Sequence, residues 1–289
     1  MLEAIGIPSG MATAGGEHVL LVPSEDSDRA ALELFRYVRE NRERPTDDEP
    51  RPQLGWSVAA ALGYVVILVA LDLAQRREFL GLDWRSAGVA DATMIREGVW
   101  WRSVTALGLH ADFLHLASNL AFGAMFGVML AQSIGVGLAW LAFLATGGIG
   151  NWLNAWLQVP PHTSIGASTA IFGMLGVQVA HDWVRRRRIH VNLFRRWAPI
   201  AVGAALLAWL GGDGRQADPS VIQKTLGDLN VPLPKIDVGA HVLGFATGLA
   251  LGGLVGWSRP RVRLGAPAQA AVAAAVVLVF GAAWWLALR

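Results

Sequence analysis

Apolar residues in this chain of 289 gather into long blocks, with most polar residues between them. About 20 consecutive apolar residues suffice for a helix to cross a bilayer. The pattern predicts seven spans, near 57–75, 113–131, 137–157, 166–184, 197–211, 238–257 and 267–288, the fifth being the shortest. The chain therefore reads as an all-α polytopic membrane protein. Residues 1–55 read differently, as a small extension and linker. There Glu17–Val22 predicts a short strand, and Ser24 and Ser27 are candidate helix caps after Pro23. Ala31, Leu34, Phe35 and Val38 then share one helical face before Pro45, and Thr46–Pro52 is a polar, proline-bounded linker. The expected division is 1–55 as extension, 56–258 as a six-span core, and 259–289 as a basic loop with the seventh span.

Composition agrees, with 54% hydrophobic and 16% charged residues. A formal net charge of +2 gives no argument for nucleic-acid binding. Cysteine is absent, which excludes disulfides, thiol nucleophiles and thiolate-held metals. The first residues lack a basic stretch followed by an apolar one, so no cleavable signal peptide is expected. Arginines sharpen the topology. Arg185–Arg188 with Arg195 and Arg196, and Arg259 with Arg261 and Arg263, fall on the same side of a seven-span chain as the N-terminal extension. That side is expected to be cytoplasmic. Trp56, Trp183, Trp197 and Trp257 would then mark the inner interface, and Trp156, Trp209, Trp284 and Trp285 the outer one.

This topology starts spans two, four and six from the same outer side, each with polar residues near its beginning. Span two is approached through His110 and carries His115 and Asn119; span four has Ser168; span six has His241 one turn in. Polar groups within a bilayer are costly, so function is their default explanation. His115 and Asn119 lie four apart, on one helix face, where both could donate toward one point as an oxyanion hole requires. The backbone N–H of Ser168, at a helix start, could add another donor. Gly244, Gly248 and Gly252 form a small-xxx-small stripe in span six, and Gly173 and Gly176 thin span four. The two spans are expected to pack in contact, with His241 as the general base that activates Ser168.

Trp101-Arg102, the His110/His115/Asn119 series (H-x4-H-x3-N), Gly166-x-Ser168-x and Ala240-His241-x2-Gly244-x3-Gly248 together resemble the rhomboid intramembrane serine proteases. The resemblance runs from about 57 to 257, with the motifs in order on the matching spans. It implies a rhomboid-like six-helix core plus a C-terminal seventh transmembrane helix, with a small N-terminal cytosolic extension. It also implies Ser168 as nucleophile and His241 as base without an acidic third member, and His115 and Asn119 lining the oxyanion hole. Phe172 would pack beside the histidine; Gly166, His110, Trp101, Arg102, Gly244 and Gly248 would be supporting positions. The 76–112 loop would be half-submerged. The implied reaction is cleavage, through an acyl-enzyme, of transmembrane segments of other membrane proteins that unwind readily, near small residues at the outer face. The implied partners are such substrates and the lipid bilayer, with no nucleic acid; no metal or organic cofactor is suggested. One departure stands out: the family pattern has glycine after the serine, and here it is Thr169, stiffer and bulkier at a tight helix entry.

Plainer readings fit other residues. His162, beside Pro160-Pro161, reads as a solvated loop residue. Asp237, four residues before His241, could orient the imidazole as a third member would, but reads more simply as an interfacial aspartate, whose replacement by asparagine should have little effect if serine and histidine suffice. Residues 158–167 and 212–237 could form the rim and a movable cap of a wet cavity. A zinc protease would show H-E-x-x-H, which the chain lacks. Gly211–Gly214 contains one aspartate, and an aspartyl intramembrane protease would need a second. A non-proteolytic relative that binds or escorts membrane proteins would be expected to lack the serine or the histidine. A transporter would carry a polar trail across the full depth or matched broken helices in two halves. Abundant Ala, Gly, Arg and Trp with little Lys points to a bacterial source and an inner membrane.

Overall fold

The computed structural model describes residues 2–14, 17–41, 54–187, 197–205 except 199, 202 and 204, 237–258, and 264–289. It divides into two compact units, Met1–Pro50 and Arg51–Arg289.

In the first unit, β1 (Gly10–Ala14) pairs antiparallel with β2 (Glu17–Leu21), Gly10 opposite Leu21. The sequence pattern anticipated the second strand and not the first. Helix α1 (Ser27–Asn41) follows a single 3-10 turn over Ser24–Asp26. Its buried side is rotated from the expected one. Ala30 joins Leu2 and Ile7 in a small core, with Leu34 and Val22 packed against it. Phe35 and Val38 stay 64% and 55% exposed. So few core side chains cover only a narrow strip of the helix. The 46–52 linker lies outside the described residues.

In the second unit the long helices are α2 (Leu54–Arg76), α6 (Phe113–Ile134), α7 (Val136–Leu157), α8 (Ser168–Arg187), α9 (Val238–Ser258) and α10 (Ala266–Ala287). All but α8 are long and apolar enough throughout to cross a membrane; α8 runs into its arginine block. Most of the expected fifth span lies outside the described residues. Asp112 caps α6 by accepting from the His115 N–H at 2.8 Å. Gly135, at φ 94°, makes the turn into α7.

Residues 77–112 fold as short pieces: α3 (Trp84–Gly88), β3 (Ala90–Asp91), α4 (Ala92–Arg96) and α5 (Arg102–Thr105). β3 pairs antiparallel with β4 (Thr163–Ser164), a two-residue ladder too short to leave a periodic signal. Arg102 Nη1 donates to the carbonyls of Ser86 (2.8 Å) and Val89 (3.1 Å), stapling this segment. Arg96 donates to the carbonyls of Ala155, Trp156 and Gln158, satisfying the end of α7.

Helices α8 and α9 meet through glycine. A Cβ on Gly244 would strike the Thr169 carbonyl, one on Gly248 the Gly173 carbonyl, and one on Gly252 the Val177 carbonyl. From the other side, a Cβ on Gly176 would strike the Phe245 carbonyl. Backbones this close allow little sliding, and the seam fixes how the start of α8 faces the start of α9. An apolar groove of about 590 Å³ lies elsewhere, between α5, α7 and α10, where Trp100, Trp152 and Val276 help to line it. Trp284, expected in an outer aromatic belt, is instead buried against Gly88 and Gly108.

Candidate active site

Ser168 is the first residue of α8 and is held by the loop before it. The Gly166 N–H donates to the Ala106 carbonyl at 2.9 Å, and the Ala92 N–H to the His162 carbonyl at 2.9 Å. Gly166 has φ 124°, a conformation that side-chain-bearing residues rarely adopt. It also leaves space: a Cβ there would lie 2.7 Å from His115 Nε2 and 3.5 Å from Ser168 Oγ. The glycine thus lets the ring of His115 border the serine.

His241 is buried in the first turns of α9, and its Nε2 lies 2.8 Å from Ser168 Oγ. With the proton on the hydroxyl, Oγ donates to an unprotonated Nε2, the arrangement from which an imidazole can remove that proton. The Phe172 ring covers the imidazole, with centroids 4.7 Å apart. Phe172 lies four residues after Ser168 on the same helix, so one face of α8 supplies both contacts.

His115 Nδ1 accepts from the Ala111 N–H at 3.3 Å. In the neutral ring this puts the proton on Nε2, the atom facing Gly166 and the serine. His110 is fully buried beside it, with ring centroids 5.2 Å apart, and Gln75 donates to its main-chain carbonyl at 3.0 Å. Burial, helped by the neighbouring His115, pulls the His110 pKa down to about 3, so it is a neutral packing ring. Asn119 departs from expectation. Its amide donates back to the His115 carbonyl at 2.7 Å, and its buried Oδ1 has no partner among the described residues. One of its two N–H groups is therefore committed to its own helix. Trp101 packs against the core and Arg102 staples the 77–112 segment, so both shape the surroundings of the site.

Thr169 is accommodated by its surroundings. It is buried, and its methyl sits where a Cβ on Gly150 of α7 would be 2.8 Å away and one on Gly244 of α9 3.1 Å away. Two glycines on neighbouring helices leave room for the branched side chain away from Oγ of Ser168.

Three polar residues missed as a group lie at the same ends of these helices. The Asp237 carboxylate accepts from Asn154 Nδ2 at 2.6 Å, from His162 Nε2 at 2.8 Å and from the Ala240 N–H at 3.1 Å. His162 is thus a bonded, partly buried residue and not a freely solvated one. Burial alone would raise the Asp237 pKa, but hydrogen bonds from His162, Ala240 and Asn154 hold it below the usual carboxylate value. The available signals were Asn154, an amide inside an apolar block, and the position of Asp237 four residues before His241. Among the described residues, no group of three or more His, Asp or Glu is arranged to hold a metal ion.

The fold and this site define a polytopic helical membrane protein with a serine–imidazole pair near the ends of two tightly packed helices. The chain belongs to the rhomboid family: the family's model, described as Rhomboid domain, matches residues 97–258, more than half of the chain. Among its relatives is the "Rhomboid-like protein 11, chloroplastic" of Arabidopsis thaliana, 39% identical over 118 residues, 40% of this chain and 42% of that one. The "Putative rhomboid protease YdcA" of Bacillus subtilis (strain 168) is 34% identical over 95 residues, 32% of this chain and 47% of that protein. The "Rhomboid protease GluP" of the same bacterium is 37% identical over 89 residues, 31% and 17% of the two chains. The chain spans less than half the length of each of these relatives.

Proposed function

We propose that this protein is an intramembrane serine endopeptidase that cuts transmembrane segments of other membrane proteins with a Ser168–His241 dyad. The observation that carries the reading is the 2.8 Å separation of Ser168 Oγ and His241 Nε2 at the start of α8. In the proposed reaction His241 takes the hydroxyl proton as Oγ attacks the scissile carbonyl. The protonated imidazole then gives that proton to the leaving amine, which departs as the acyl-enzyme forms. A water deprotonated by the same ring hydrolyses the ester and restores the serine. His115 Nε2–H and the Ser168 backbone N–H are the donors for the developing oxyanion. Asn119 contributes by its free N–H or by fixing the His115 turn. A donor of this kind typically stabilises the transition state by about 2.7–4 kcal/mol.

Relatives named as proteases support this reading at the level of the family. The arginine distribution supports a cytoplasmic N-terminal extension and a site opening to the opposite side, and the composition, rich in Ala, Gly, Arg and Trp with little Lys, supports a bacterial inner membrane. The test is reconstitution of the pure protein in liposomes with a model transmembrane substrate. Wild type cuts it, and Ser168→Ala and His241→Ala do not. Undiminished cutting by both variants would overturn the mechanism. No cutting by a folded wild type across a panel of substrates would favour a binding or escort protein on the same scaffold.

A further inference from the structure

We infer that Asn154, His162 and Asp237 form a positioning cluster that holds the loop entering α8 and the first turn of α9 together, and so keeps Ser168 and His241 in register. The inference rests on the proteolytic reading above.

The two oxygens of the Asp237 carboxylate do different work. Oδ1 accepts from the Ala240 N–H at 3.1 Å, an ordinary helix cap. Oδ2 accepts from Asn154 at 2.6 Å and from His162 at 2.8 Å, neither of which belongs to α9. A cap alone does not need those bonds. They tie together the last turn of α7, the loop before Ser168 and the start of α9.

Connectivity makes the tie consequential. His162 precedes Ser168 by six residues, and Asp237 precedes His241 by one helical turn, its own carbonyl accepting the His241 N–H at 3.3 Å. The loop is gripped on its other side as well, through the bond from Ala92 to the His162 carbonyl at 2.9 Å. A Cβ on Gly239 would sit 2.8 Å from Gln158 Nε2 and 2.9 Å from Asn154 Oδ1, so glycine lets the start of α9 approach α7. Asn154 is 2% exposed, and hydrogen bonds so shielded are stronger than their counterparts in water. The seam below fixes α8 against α9 by backbone contact. That seam begins at Thr169 and Gly244, and the cluster adds a tie above it, on the loop before Ser168 and the first turn of α9. Among the described residues, none of the three hydrogen-bonds to Ser168 Oγ or to the His241 ring, so they are positioning residues and not catalytic ones.

Asp237→Ser separates the two roles, since serine caps a helix about as well as aspartate yet cannot reach Asn154 and His162. In the full-length protein we expect Asp237→Ser and His162→Leu each to lower kcat about 10-fold, the scale of a sub-ångström misalignment, with KM unchanged. The rate of fluorophosphonate labelling at Ser168 falls by the same factor. The double variant is no slower than the worse single one, because both break one interaction. His162→Gln, which keeps a donor, recovers most of the rate. Asp237→Asn also slows turnover, contrary to the sequence expectation, because it turns an N–H toward two donors. Wild-type kcat and labelling in Asp237→Ser and His162→Leu would overturn the positioning role and leave the dyad intact. So would additive losses in the double variant. Unlabelled wild type, or cutting by Ser168→Ala, would overturn the proteolytic reading itself.

Discussion

Helices α8 and α9 meet backbone to backbone along a row of glycines, whereas α10 comes that close at one point, where a Cβ on Gly137 would strike the Gln269 carbonyl, and otherwise reaches its neighbours through side chains. Along the first seam, any Cβ at Gly244, Gly248 or Gly252 would run into a main-chain carbonyl of α8. At α10, Gln269 donates to the Ile134 carbonyl at 3.1 Å and accepts from the Leu138 N–H at 3.1 Å, spanning the turn between α6 and α7. Near its other end Trp284 fills the space over Gly88 and Gly108 and contacts Trp84, with ring centroids 5.2 Å apart. A flexible side chain can move by a few tenths of an ångström and keep its contact. A carbonyl in a helix cannot. The extended stiff contact lies under the Ser168–His241 pair; away from it, α10 is held by a single point of that kind and by side chains that can adjust. Alignment for proton transfer and attachment of the last helix are therefore separate properties of the molecule.

The sharpest way to break this comparison is to add bulk in the seam. Gly248→Val should abolish cleavage, with a loss of roughly 100-fold or more, and should lower stability by about 1–3 kcal/mol. Proteoliposome cleavage and thermal denaturation of the same preparation would read both. A stable, active variant would mean that the seam is softer than its geometry. Next in size is Gly166→Ala, which combines a strained φ of 124° with a Cβ only 2.7 Å from His115 Nε2. Its kcat should fall roughly 100-fold, with far less change in melting temperature than Gly248→Val shows.

How these positions could be read beforehand differs from one to the next. The long helices were legible because hydrophobic blocks in a membrane protein are long and uninterrupted; α2, α6, α7, α9 and α10 all begin within three residues of the expected starts. Ser168 and His241 stood out because each interrupts an apolar run, and the glycine stripe said which helices would touch. The bonds of Asp237 to Asn154 and His162 were not legible. They join residues 83 and 75 positions apart, and neither His162 nor Asp237 is unusual by itself at a helix end. The turn of the Asn119 amide onto its own helix was equally hidden, since spacing gives a residue's face and not its rotamer. Thr169 looked like a liability because its partner, Gly150, lies on another helix. The buried side of α1 was misjudged because amphipathicity marks an apolar stripe without saying how much of it a small core can cover.

Thr169 gives a smaller effect. Thr169→Gly removes a buried methyl and adds backbone freedom at the helix entry, and should cost about 1–2 kcal/mol of stability with a few-fold loss of kcat. A faster, equally stable variant would show that threonine hinders the serine. Smallest in catalytic effect is Gln269→Ala, which leaves a main-chain carbonyl and an N–H without their bridge. It should lower stability by about 1–3 kcal/mol while kcat of the folded protein stays at the wild-type value. A fall in kcat comparable to that of Gly166→Ala would erase the distinction between seam and clasp.

The central claim is that His241 activates the hydroxyl of Ser168, and covalent capture reports on that step without any assumption about substrate. Purified wild type, Ser168→Ala and His241→Ala would be treated with a fluorophosphonate in detergent and digested, and the modified peptide identified by mass. Modification of wild type at Ser168, none there in Ser168→Ala, and a rate reduced by orders of magnitude in His241→Ala is the predicted result. Labelling of Ser168 at the same rate with and without the imidazole, or labelling at some other residue alone, would contradict it.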